Sequence, residues 1–129
     1  MDPLSITAAI ISVGQAADGL LRVIRQFNSA SREIESFRSE ITRLKLVLDI
    51  TNSTLAHKEP TAHNADVCAV LADCAKIVGK MEDICVDRKR TDRHVSKLAW
   101  MKNRGKVDVL RRELRDAVGL LTLIVVVKS

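Results

Sequence analysis

Along four separate stretches of the chain, apolar residues recur at alternating spacings of four and three, with polar residues between them. At 3.6 residues per turn that alternation holds the apolar side chains on one helical face. The first stretch carries Ile6, Ile10, Val13, Ala17, Leu20, Ile24 and Phe27 on the seam, with Ile11 and Leu21 off it, so more than one face is apolar. Asp2 is placed to cap this helix and Pro3 to occupy its first position, where a missing N–H costs nothing. The second stretch carries Ile34, Phe37, Ile41, Leu44, Leu48 and Leu55, with Thr51 in the remaining slot. Its opposite face, with Glu33, Arg38, Glu40, Arg43 and Lys45, reads as a solvated mixture.

The third stretch runs through Val67, Leu71, Cys74, Val78, Met81 and Cys85, and the fourth through Val107, Leu110, Leu114, Ala117, Leu121 and Ile124. Asn28, Ser29 and Ser31 separate the first two, Pro60 ends the second, and residues 88–93 interrupt before the last. Leu98, Trp100 and Met101 precede Gly105, which is expected to divide the last segment into a short and a long helix. The pattern predicts helices over about 3–27, 30–56, 64–87 and 93–126. Only Leu120 to Val127 looks strand-like in isolation, and sheet elsewhere is not expected. Four seams joined by short loops predict one all-α domain over residues 1–129, an antiparallel four-helix bundle.

Composition sharpens this picture in two places. Aromatic residues are only 2% of the chain, so Leu, Ile, Val and Ala must fill the core. Cys68, Cys74 and Cys85 are odd in number and lie within the third apolar pattern, which reads as buried free thiols in a reducing compartment. His57, His63 and His94 are scattered, and no C-x-x-C or H-x-x-x-H spacing exists, so no metal site is expected. Nucleophile-elbow, phosphate-loop and metal motifs are absent, and Glu82-Asp83 and Glu33/Glu35 read as surface charge. The chain is read as no enzyme, with no catalytic residue, cofactor or small-molecule substrate.

Charge divides the molecule. Residues 1–87 carry a net −3 and residues 88–129 a net +8 within the overall +5. The basic residues Arg88, Lys89, Arg90, Arg93, Arg111, Arg112 and Arg115 are candidates for contact with anionic lipid. Each engaged Lys or Arg adds ~1 kcal/mol at an acidic leaflet. Nucleic acid is disfavoured, since no helix-turn-helix spacing or stacking aromatics accompany the charge. A plain solvated face is the remaining reading.

The first seventeen residues of the chain carry one charge, Asp2. A signal peptide needs a positive region first, but here the first cation is Arg22. The charge-free stretches Pro3 to Ala17 and Ala117 to Val127 fall short of the ~20 residues a constitutive span needs, so the chain is expected to be soluble as made. Two fates remain for the first helix: an ordinary core helix, or one that leaves the bundle for a membrane. Leu4, Ile6, Ile10, Ile11, Val13, Leu20 and Leu21 are the insertion candidates, and Ala8, Ala9, Gly14, Ala16 and Ala17 permit close helix contact in lipid.

The opening Met1-Asp2-Pro3-Leu4-Ser5-Ile6-Thr7-Ala8-Ala9-Ile10-Ile11-Ser12-Val13 resembles that of the fungal HeLo-like domains. These stand at the N-terminus of fungal NLR-type (STAND) receptors and related cell-death proteins. Trp100 through Leu123 falls where that family has its Trp and its basic, Leu-rich last helix. The family resembles the four-helix executioner of mixed-lineage kinase-like pseudokinase and the helical N-domains of some plant resistance proteins. The resemblance implies a programmed-cell-death effector of fungal innate immunity or heterokaryon incompatibility, cytoplasmic at rest and at the plasma membrane on activation. It implies that downstream receptor or amyloid-signalling regions bring copies together, that the domain oligomerises with itself, and that the first helix then permeabilises a membrane. The alternative is a non-lytic helical adaptor for protein–protein signalling; a nucleic-acid-associated helical protein is a weaker third.

Overall fold

The computed structural model describes residues 3–26, 32–55, 64–87, 94–95 and 103–128. Four helices make up nearly all of this: α1 (Pro3–Arg25), α2 (Arg32–Leu55), α3 (Asn64–Cys85) and α4 (Arg104–Lys128). Between α3 and α4, β1 (Val86–Asp87) pairs antiparallel with β2 (His94–Val95), Val86 opposite Val95 and Asp87 opposite His94. The fold is the expected all-α bundle.

Element boundaries follow local chemistry. Pro3 opens α1, and the N–H of Gln26 donates to the Val23 carbonyl in a tightened turn that closes it. Arg22 and Arg25 in the last turn of α1, and Glu33 and Glu35 in the first turn of α2, both complement the helix dipole. Asn103 precedes α4, and its carbonyl accepts from the Val107 N–H. The long last helix starts at Arg104 with Gly105 in its first turn; His94–Val95 is strand, and the short helix expected before Gly105 falls on residues 96–102, outside the described residues. Leu120 to Val127, strand-like in isolation, is helical because Leu121 and Val125 are buried on the seam begun by Val107. The β1–β2 pairing was not expected; two residues per strand are too few to set an alternating pattern. Asp2, Phe27, the 28–31 break, Pro60, residues 88–93, Leu98, Trp100 and Met101 lie outside the described residues.

Around the bundle axis the helices follow the order α1, α2, α4, α3: α1 and α4 each pack against both α2 and α3. The residues linking Arg25 to Arg32 reach at most ~25 Å extended, less than the ~35 Å length of either helix, so α2 must return alongside α1. Glu33 pairs with Arg104 and Glu40 with Arg111. Advancing seven residues on both helices keeps them together, so α2 and α4 run in the same direction. Gly19 faces Glu82 in the same sense: a Cβ at Gly19 would lie 3.3 Å from Glu82 Oε2, late in both α1 and α3. Consecutive helices thus reverse, while the neighbours α1/α3 and α2/α4 are parallel.

One continuous core fills the interior. All seven predicted positions of α2, Ile34, Phe37, Ile41, Leu44, Leu48, Thr51 and Leu55, are buried. Thr51 satisfies its hydroxyl by donating to the Val47 carbonyl at 2.7 Å. In α3 the predicted seam is buried together with Val70 and Ile77. In α4, Val107, Leu110, Leu114 and Leu121 are buried, with Ala117 and Ile124 packed against the core from its edge.

Candidate functional site

The insertion candidates of α1 divide by face. Ile6, Val13 and Leu20 are buried, and Ile10 is partly buried against the core. Ile11 is 54% exposed, as its off-seam position predicts. Leu21, expected off the seam, is buried, and so is Val23. The reason is positional: α1 packs into a corner between α2 and α3, and a helix with two neighbours must bury a wider arc than one seam. Leu4 lies in the first turn of α1, and its side chain is outside the described residues.

Ile6–Arg25 is long and apolar enough to cross a membrane, contrary to the expectation from charge-free runs alone. Its twenty residues rise ~30 Å, the thickness of a bilayer's hydrocarbon. The helix continues through Asp18 and Arg22, which a charge-free count excludes. The same composition suits a core helix, which is where α1 sits. Asp18 pairs with Lys45 of α2 at 2.6 Å, an exposed contact of the kind that holds a helix only weakly.

On α4 the basic candidates do not form one lipid-facing set. The Arg111 guanidinium donates to Glu40 Oε2 through Nε at 2.9 Å and to Glu40 Oε1 through Nη2 at 2.7 Å. It also donates to Ser36 Oγ at 3.2 Å and lies 5.7 Å from the Phe37 ring centroid. Its side chain is only 12% exposed, so Arg111 is a structural cation facing α2. Arg115, largely exposed, also donates to Glu40 Oε1, at 3.1 Å. Arg112 is exposed and makes no ion pair among the described residues. Arg88, Lys89, Arg90 and Arg93 lie outside the described residues.

Glu33 and Glu40, read from sequence as solvated, are therefore half-buried partners of Arg104 and Arg111. Acids seven apart on α2 face bases seven apart on α4, the spacing at which parallel helices stay in register. Val47 and Val118, one heptad further on, continue that register with partly buried apolar residues. Burial pushes the Glu40 carboxyl up, but the hydrogen bonds and charges of Arg111 and then Arg115 outweigh it and hold it below its ordinary value. The reciprocal bond raises Arg111. Beside the clamp, Arg43, Leu114, Arg115, Val118 and Gly119 line a shallow groove of about 220 Å³.

The thiols are free, as expected, with Cys74 and Cys85 buried and Cys68 half-buried. Burial, helped by Asp73, pushes Cys74 up to about 11; burial, helped by Glu82, pushes Cys85 up to about 12. Neither is a thiolate nucleophile near neutral pH. Among the described residues no group of three or more His, Cys, Asp and Glu could hold a metal ion.

The sequence reading missed the Glu40–Arg111 clamp, although the seven-residue spacing of Glu33/Glu40 and of Arg104/Arg111 was its available signal. No protein-family model, no curated protein and no solved structure matches this chain.

Proposed function

We propose that this domain is a non-catalytic, membrane-acting effector, the cell-death module of a fungal NLR-like immune or incompatibility system. At rest it is a cytoplasmic helical bundle. Activation, through attached receptor or amyloid-signalling regions, gathers copies, and α1 then leaves its corner and enters the plasma membrane. Anionic lipid assists through exposed cations such as Arg112 and Arg115. The observation that carries this reading is the double character of α1. It is a core helix at a bundle corner, yet Ile6–Arg25 has the length and composition of a membrane span. The resemblance of residues 1–13 to the HeLo-like opening supports the same reading.

Ile11→Glu tests it. Ile11 is exposed in the bundle, so the charge is accommodated at rest with a stability change within about 0.5 kcal/mol. In a membrane span a charged group costs about 2.5–3.5 kcal/mol at the centre and less toward the ends. The expected result is a folded variant that no longer releases dye from anionic liposomes or kills cells. Full killing by a folded Ile11→Glu variant would overturn insertion and leave the adaptor reading in its place.

A further inference from the structure

The two grooves flanking α4 differ in how their charges are satisfied. Toward α2, Glu33, Glu40, Arg104, Arg111 and Arg115 are all ion-paired, and only Arg43 of the charged residues lining that groove makes no ion pair among the described residues. Toward α3, one continuous groove runs over a floor that includes Ile77, Ile84, Leu110 and Ala117. Its two halves, of about 430 and 410 Å³, share Lys80. Lys76, Lys80, Lys106, Asp73, Glu113 and Asp116 line it, and none of these makes an ion pair among the described residues. Opposite charges border this shallow groove and do not pair with one another among the described residues.

Their arrangement is directional. Lys106 and Lys80 stand toward the N-terminal end of α4, beside Asp83, which has a partner of its own. Asp116 and Asp73 stand toward its C-terminal end, and Lys76 and Glu113 lie between. Val109 and Leu120, 47% and 49% exposed, mark the two ends. They are eleven residues apart, three turns of helix, and therefore share one face of α4. A surface with a basic end, an acidic end and exposed apolar residues at both is complementary to itself after a two-fold rotation.

We propose that the α3/α4 groove is a self-association surface that takes a second copy of this chain. The two-fold axis lies across the groove, so the basic end of each copy meets the acidic end of its partner and Val109 and Leu120 become covered. This contact forms in solution and needs neither lipid nor release of α1, so it stands or falls separately from the membrane reading.

Sedimentation velocity on the full chain over a concentration series tests it. Wild type is expected to pass from monomer to dimer, and less readily as salt screens the contacts. Lys80→Glu/Lys106→Glu makes the groove acidic at both ends, and Asp73→Lys/Asp116→Lys makes it basic at both. Each variant alone is expected to associate about tenfold more weakly or worse, since like charges replace opposite ones. Mixed in equal amounts, they are expected to recover a heterodimer, which a merely misfolded variant could not do. Val109→Ser/Leu120→Ser, which leaves the charges intact, is expected to weaken the dimer as well. A wild type that stays monomeric throughout, or folded variants whose mixture does not associate, overturns the proposal. So does an unchanged dimer in either charge variant, or a groove whose variants lose binding to anionic vesicles while the wild type remains a monomer.

Discussion

Removing the Glu40 carboxylate is the most informative single change to the resting bundle. Breaking a buried ion pair costs about 3–5 kcal/mol because it strands a charge. Arg111 and Glu40 keep 12% and 21% of their side chains exposed, so water offsets part of that, and Glu40→Ala is expected to cost about 2–3 kcal/mol. Arg111→Met keeps an unbranched apolar side chain at this site and leaves Glu40 its contact with Arg115, so it is expected to cost less. In the double variant neither charge is stranded. A double-mutant cycle followed by helical circular dichroism in urea is then expected to give a coupling of about 1.5 kcal/mol or more. The pH dependence has a definite sign. Glu40 is held below its ordinary value of 4.5, so its contribution is fully present above that value and is lost as pH falls through the lower folded one. Glu40→Gln should therefore differ most from wild type near neutrality and converge with it in acid. Additivity within about 0.5 kcal/mol, or a difference that grows on acidification, would refute the clamp.

Other perturbations probe the packing directly. Leu44→Ala, at a fully buried seam position, is expected to lower unfolding free energy by about 2–5 kcal/mol in the same assay. Gly14→Ala is expected to stabilise by about 0.5–1 kcal/mol, because glycine is costly in a helix and a Cβ there meets nothing within 4 Å. If α1 must leave the bundle to act, the same variant should also release less dye per unit time. Thiol labelling of the native domain should modify Cys68 first, with Cys74 and Cys85 reacting only at the rate of opening or unfolding.

How much was legible depended on whether a feature was local. The seven buried positions of α2 follow from spacing alone, because one clean seam meets the core. The burial of Leu21, Val23, Val70 and Ile77 depends on which helices stand beside α1 and α3, and periodicity within one helix carries no such information. The Glu40–Arg111 contact joins residues 71 positions apart. Recognising it requires knowing that α2 and α4 are parallel neighbours, so on sequence alone both residues pass for solvated surface. The exposure of Ile11 was legible because its angle off the seam is fixed by its own helix.

The helix order also shapes how the chain reaches this state. α1 with α2, and α3 with α4, are hairpins whose partners are close in sequence and can form early at little entropic cost. The interfaces that hold the hairpins together, α1 on α3 and α2 on α4, join segments roughly sixty to seventy residues apart and require a much longer loop to close. Each hairpin alone leaves half of the core facing water, so neither is expected to persist without the other. Closing these long-range interfaces should thus limit folding, and core substitutions at the α1/α3 contact should slow refolding as well as speed unfolding.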